Sequence, residues 1–378
     1  MAAFQPFVLE QWMSIFEQKV DYNLSESGAH PISVRDLLSE VPGGVESLLA
    51  TELGYPHVEG IPALRERIAA LYHGATAENV LVTVGAAEAN YITVHTFIEP
   101  GDEIVVMVPN YMQVWGIAKN RGAVVKTFHL REDRGWAPDL DELASLVTPE
   151  TKMIAVCNPN NPTGYILSEQ EMDAIVAIAS RVGAWLLADE VYSGAERATD
   201  VQTPSFFGRY DKVVAMGSLS KAYGLPGLRI GWVMAPEDQI QALWRRHEYV
   251  TISASKLAMG LAAVALSPDV RPRLMARTRG YIRAGYPVLE EWMASHGDTF
   301  SLTPPGAAAI AFVKYHLDIG SAAFTDRLCK EKSVLIVPGA HFGVEQHVRI
   351  SYGLPHDYLL PALDRIHDLV VELQGGAA

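Results

Sequence analysis

The sequence predicts an α/β protein: a large domain on a mostly parallel seven-stranded sheet, plus a small α+β domain assembled from both termini. Three observations carry this. Short β-branched runs alternate with helical patterns through the middle of the chain. Those runs are apolar throughout rather than alternating, as strands covered on both faces are. The chain has 378 residues, more than one ordinary domain of roughly 150.

In chain order, Met1 to Asn23 reads as an arm plus a helix. The seven candidate strands are Val80–Val84, Glu103–Val108, Val124–Leu130, Met153–Cys157, Trp185–Ala188, Val213–Gly217 and Ile230–Met234. Between them lie the helical stretches Glu88–Phe97, Met112–Asn120, Leu140–Val147 and Glu169–Arg181. Pro138-Asp139 is a helix-start signal, and Ser168 followed by Glu171 has capping-box spacing. Thr278 to Ser295 reads as a long helix, then Ala309–Val313, Val334–Val337 and His347–Ser351 as strands of a smaller sheet. Asp357 to Leu373 closes the chain as an amphipathic helix. The expected division is residues 1–30 as arm and part of the small domain, 31–280 as the large domain, and 281–378 as the rest of the small domain.

Composition narrows the function classes. Hydrophobic residues make up 49% and charged residues 20% of the chain, the balance of a globular protein. A formal charge of −14 argues against general affinity for nucleic acid or anionic membranes. The apolar run Ala258 to Leu266 is about half of a bilayer span. The N-terminus lacks a basic segment followed by an apolar core, so no secretory signal is expected. Cys157 and Cys329 read as reduced thiols, and the expected location is the cytoplasm. No HExxH or Cys/His cluster suggests a metal, and no GxGxxG follows a first strand.

Ligands of open α/β sheets sit beyond the strand ends. After Met153–Cys157 comes the turn Asn158-Pro159-Asn160-Asn161-Pro162-Thr163-Gly164, rich in uncharged amides. After Trp185–Ala188 comes Asp189-Glu190-Val191-Tyr192, two acids and a phenol. After Val213–Gly217 comes a stretch that sets Ser218, Ser220, Lys221 and Arg229 among glycines. Together these suit one anionic heteroaromatic aldehyde. Lysine forms a Schiff base, arginine and hydroxyls hold a phosphate, and an acid keeps a pyridine nitrogen protonated.

The run SLSKAYGLPGLRIGW, with NPNNPTG and DEVY at matching spacing, resembles the fold-type I pyridoxal-phosphate enzymes, specifically the class I/II aminotransferases, from about Tyr55 to Gly353. The resemblance implies pyridoxal 5'-phosphate as cofactor and Lys221, Asp189 and Tyr192 as catalytic residues. By it, Lys221 carries the cofactor, Asp189 pairs with the pyridinium nitrogen, and Asn161 and Tyr192 bond the ring 3-oxygen. Ser218, Ser220 and Arg229 correspond to phosphate ligands. Gly85, Ala86 and Ala87 open a helix whose backbone N–H groups suit the same phosphate. Tyr111 corresponds to the aromatic that stacks on the ring. Tyr55 corresponds to a tyrosine that reaches the neighbouring subunit's phosphate, which implies a homodimer with shared active sites. Gly28, Asn161 and Arg349 correspond to substrate-binding positions, Arg349 holding the α-carboxylate. An arginine in an apolar strand is costly unless paired, which marks Arg349 independently.

The activity implied is transfer of an amino group from an α-amino acid to a 2-oxo acid. The N-terminal stretch, Phe7 to Trp12 and then Ser25 to His30, resembles capreomycidine synthases instead. It implies the alternative of elimination or cyclisation on an arginine-like amino acid. His30 and His341 are further candidates to line the pocket.

Overall fold

In the computed structural model, which describes residues 4–375, an eight-stranded sheet forms the centre of the molecule. Residues 1–3 of the expected N-terminal arm lie outside the described residues. The strands in chain order are β1 (Tyr22–Asn23), β2 (Val80–Thr83), β3 (Glu103–Val108), β4 (Val124–Arg131), β5 (Ala137–Pro138), β6 (Thr151–Cys157) and β7 (Trp185–Asp189). They continue with β8 (Val213–Ser218), β9 (Gly231–Met234), β10 (Phe300–Ser301), β11 (Ile310–Tyr315), β12 (Val334–Leu335), β13 (Val337–Pro338) and β14 (His347–Ser351). The central order is β2-β9-β8-β7-β6-β3-β4-β5. Strands β4, β3, β6, β7 and β8 run parallel, while β9 is antiparallel to both of its neighbours.

All seven expected strands lie in this sheet, with ends shifted by two residues at most. The eighth, β5, was not expected. Gly135 takes a left-handed turn (φ +66°) and folds Ala137 and Pro138 back along β4, pairing Arg131 with Ala137 and Leu130 with Pro138. Two residues, one of them proline, carry too little pattern to read as a strand, and proline is tolerated there because β5 is an edge.

The unbroken apolar runs are explained by cover on both faces. Val105, Met107, Ile154 and Val156 pack into one core, and Ile104, Val106, Met153 and Ala155 into the other. Successive side chains of a strand point to opposite faces, so each strand feeds both cores. Each fully buried aliphatic side chain contributes roughly 1.5–3 kcal/mol. Both expected caps form: Asp139 accepts the Glu142 N–H, and Ser168 with Glu171 closes a capping box on the helix Glu169–Val182.

A second sheet, β10-β11-β14-β13, is antiparallel throughout. Val334–Val337, read as one strand, is two. Val334 and Leu335 pair with Tyr22 and Asn23 in a separate parallel sheet, and Val337 pairs with Arg349. The chain changes sheets at Ile336, whose carbonyl is held by the Trp12 indole N–H. The N-terminal helix Val8–Phe16 and strand β1 are thereby fastened beside the last third of the chain.

The pleat of β7 divides a neighbouring pair of acids. Asp189 faces the cavity described below, while Glu190 faces a smaller one lined by Tyr72, Gln202, Tyr223 and Trp232. Complete burial pushes the Glu190 carboxyl up to about 8, although it accepts the Phe206 N–H at 2.7 Å. A raised carboxyl binds its proton more tightly folded than unfolded, so its contribution to stability is full below the unfolded value and is lost as pH rises through about 8. Glu190→Gln is expected to flatten the fall of the thermal midpoint between pH 5 and 8, a slope worth at most about 1.4 kcal/mol per pH unit for one proton. Thermal melts of both proteins across that range check it; identical slopes would refute the assignment.

Candidate functional site

The C-terminal ends of the parallel strands open on a cavity of about 480 Å³. Four of the five parallel strands deliver side chains to it, all but β4. The end of β3 supplies Tyr111, β6 supplies Cys157 and Asn161, β7 supplies Asp189 and Tyr192, and β8 supplies Ser218, Ser220 and Lys221. Arg229 follows in the return to β9, and Ala86 and Ala87 come from the first turn of the helix Gly85–Phe97. Arg349 reaches in from β14 of the second sheet.

The amide-rich turn divides its labour. Asn158 Oδ1 accepts the Leu167 N–H at 2.9 Å, and Asn160 Oδ1 accepts from Thr163 N and Oγ1 at 3.1 and 2.8 Å. These two hold the turn's shape, and Asn161 alone of the three lines the cavity. Its Oδ1 accepts from Arg349 Nη1 at 2.9 Å. Arg349 is 1% exposed, also donates to the Ser25 carbonyl, and leaves Nε without a partner. Tyr192 donates to Ser27 Oγ at 2.9 Å, and Tyr111 to Glu10 Oε1 at 2.6 Å.

The hydroxyls at and just beyond the end of β8 share the cavity with the helix start. Ser218 Oγ donates to Ser220 Oγ and accepts the Ser220 N–H, both at 3.0 Å. Gly85 has φ +72°, and a Cβ there would lie 2.5 Å from Arg229 Nη2. Glycine is required for a guanidinium to come this close to the helix N-terminus, where free N–H groups favour an anion. Glu88 secures that turn from behind, accepting from Val84 N at 2.6 Å, Thr251 Oγ1 at 2.7 Å and pairing with buried His247 at 2.9 Å.

Burial sets the electrostatics. It raises the Asp189 carboxyl, against the pull of the Val191 N–H, the Asn90 amide and Lys221. It lowers the Lys221 ammonium, with Arg349 and Arg229 adding to the effect and Glu26 and Glu10 opposing it. Tyr192 and Tyr111 are raised, first by burial, and their phenols stay protonated.

The expected site residues are brought together at one cavity, apart from Tyr55 and the two histidine candidates. Lys221, Asp189, Tyr192, Asn161, Tyr111, Ser218, Ser220, Arg229, Ala86, Ala87 and Arg349 line one cavity. Gly28 packs against it, where a Cβ would lie 3.0 Å from the Ser220 carbonyl oxygen and 3.7 Å from Lys221. Tyr55 is 91% exposed and outside the lining. His30 and His341, taken as candidates to line the pocket, do not. His30 lies over Tyr281 with its carbonyl on Arg277, and His341 packs edge-on to Trp12. Sequence reasoning missed Asn90, Gln113, Ser27, Glu10, Glu17 and Glu26. Of these only the seven-residue spacing of Glu10 and Glu17 on one helix carried a local signal.

The sequence profile "Aminotransferase class I and II" matches residues 24–366. A capreomycidine synthase of Streptomyces vinaceus is 30% identical over 94% of this chain and 90% of its own. An arginine–pyruvate transaminase of Pseudomonas aeruginosa is 30% identical over 89% of this chain and 87% of its own. The crystal structure of a PLP-dependent aminotransferase from Streptococcus suis superposes with a TM-score of 0.92 at 32% identity, covering 99% of both chains. The protein is an enzyme and its cofactor is pyridoxal 5'-phosphate. The residues present fit that group: a lysine with a lowered pKa, a buried acid, and a guanidinium held against a helix start that only glycine permits. By the span of the profile match and the likeness over nearly the whole chain, this protein belongs to the class I and II aminotransferase family.

Proposed function

We propose that the enzyme moves the amino group of an α-amino acid to a 2-oxo acid, with Lys221 as the residue that carries the cofactor and moves the proton. The observation that supports this most is the meeting of Lys221, Asp189, Asn161, Tyr192 and Arg349 in one cavity. When bound, the cofactor supplies an electron sink that makes the substrate Cα–H acidic. This chain's own groups supply the rest. Burial lowers Lys221, which raises the share of neutral amine at Nζ, the form that attacks an aldehyde and accepts the Cα proton. Asp189, raised by burial, is the group that a protonated ring nitrogen would stabilise as a carboxylate, and the pairing offsets the burial of both. Asn161 Oδ1 is occupied by Arg349, so its Nδ2 remains to donate to the ring 3-oxygen beside Tyr192. Arg229, Ser218, Ser220 and the N–H groups of Gly85–Ala87 would hold the phosphate. Arg349, with Nε unpaired, would hold the substrate α-carboxylate.

A second reading, elimination or cyclisation on an arginine-like amino acid, is supported by the likeness to a capreomycidine synthase. Mass balance separates the two. In a single turnover without added oxo acid, transamination is expected to yield one equivalent of 2-oxo acid and leave the cofactor in its amine form. Product accumulating over many turnovers without an acceptor would replace this reading with the second.

Lys221→Ala is expected to abolish the visible absorption of the covalently held cofactor and all turnover. A spectrum and rate unchanged from the parent would remove Lys221 from this role.

We further infer an obligate homodimer in which Tyr55 reaches the partner's phosphate. The described lining takes nothing from residues 31–84, and Leu49, Leu53 and Tyr55 expose 81%, 79% and 91% of their surface. Tyr55→Phe is expected to weaken cofactor retention about fivefold, the size of one hydrogen bond. Sedimentation that finds a fully active monomer would contradict the dimer.

A further inference from the structure

The cavity holds more negative charge than this chemistry uses. Four carboxylates line it, Glu10, Glu17, Glu26 and Asp189, against three cations, Lys221, Arg229 and Arg349. Under the proposed function Asp189 faces the ring nitrogen, Arg229 the phosphate and Arg349 a carboxylate. The three glutamates are left over.

They form one wall. Glu10 and Glu17 are seven residues apart, two helical turns, on the helix Val8–Phe16 and its C-terminal cap. Leu9 and Met13 line the cavity from the same helix. Glu26 comes from the extended segment after β1, beside Ser27. Among the described residues no lysine, arginine or histidine forms an ion pair with any of the three, and Glu10 alone is engaged, by the Tyr111 hydroxyl. The Glu17 carboxyl is raised by burial and then by the charges of Glu26 and Glu10, so the group sits under mutual repulsion that a cation would relieve.

A separate observation concerns the cation on the same cavity. Arg349, 1% exposed, lines it with Nε unpartnered. A guanidinium with an unpartnered Nε thus stands in the same cavity as three carboxylates that form no ion pair, although Glu10 and Glu26 act across it on the Lys221 and Arg349 charges. The lining has no third arginine to meet a second carboxylate. Nor, among the described residues, are any three carboxylate, thiol or imidazole groups disposed to hold a metal ion. The cation that fits is organic and belongs to the molecule whose carboxylate meets Arg349.

We propose that Glu10, Glu17 and Glu26 form a side-chain subsite for a cation, so that the substrate is an α-amino acid ending in a guanidinium or ammonium group. The proposal rests on reading this cavity as the amino-acid site, but not on which reaction follows. The N-terminal helix is then the specificity element, and its carboxylates reach the substrate's far end while the strand ends hold the near one.

The test is binding of ligands that lack an α-amino group and cannot react. The holoenzyme is titrated by calorimetry with 5-guanidinopentanoate and with its uncharged isostere 5-ureidopentanoate. The guanidino compound is expected to bind at least about tenfold tighter, as charge-assisted hydrogen bonds allow. Glu17→Gln and Glu26→Gln, singly and together, are expected to erode that preference and leave the ureido affinity within about twofold. Equal affinity of the two compounds for the parent enzyme, or a preference that survives in both single variants and the double, overturns the proposal. Rates of cofactor conversion with L-arginine, L-lysine and L-citrulline form a second arm. Either cationic amino acid outrunning citrulline supports the subsite and tells guanidinium from ammonium, and citrulline matching both overturns it. If the guanidino preference holds while no amino acid yields an oxo acid, the cation subsite stands and the transamination reading falls.

Discussion

The buried guanidinium of Arg349 is the constraint around which the site's geometry is arranged. A charge this deep is tolerated only where the surrounding chain turns acceptors toward it. Three separate segments do so: Asn161 from the turn after β6, the Ser25 carbonyl from the N-terminal stretch, and Met13 Sδ at 3.9 Å from the first helix. The residue itself sits in β14, paired with Phe312 and Val337, with the Phe342 ring 5.5 Å away. One side chain therefore joins the second sheet, the central sheet and the N-terminal helix at the cavity wall. It also fixes which way the Asn161 amide points, because the oxygen must face the guanidinium.

The same low-polarity surroundings act on every ionisable group nearby, in the direction its charge dictates. Burial lifts Asp189 and Glu190 and lowers Lys221. What separates their consequences is position. Asp189 shares its cavity with Lys221, whose charge opposes the lift, whereas Glu190, one residue on, points into a space lined by phenols and amides. Adjacent acids in the sequence thus take different environments through the two-residue period of a strand. Gly85 shows a comparable economy of position. With no Cβ it lets Arg229 lie against a helix start, and Glu88 and His247 hold that turn from the other side.

Much of this was legible in the chain. The strands of the central sheet were readable because a strand buried on both faces is apolar without interruption, and the intervening helices because their caps follow short-range rules. The strand-end residues around Lys221, Asp189 and Asn161 stand in compact runs whose spacing is itself the signal. The two histidines misled because a loop next to a site in sequence is not next to it in space: His30 is turned onto Tyr281, away from the cavity that its neighbour Gly28 touches.

By itself, then, the sequence determined the α/β class, the order of strands and helices, and which strand ends carry reactive side chains. These depend on hydrogen bonds and periodicities within a few residues, where local pattern and local structure coincide. Only the tertiary structure decided that Val334–Val337 divides between two sheets, that Ala137 and Pro138 extend the central one, and that Asn90 and Ser27 join the site. It alone made an acidic wall of Glu26 with Glu10 and Glu17, the last two borne by a helix whose Met13 meets Arg349 across 336 residues of chain. No periodicity spans such a distance; the packing of an apolar helix face against the end of a sheet does, and it carries the carboxylates with it.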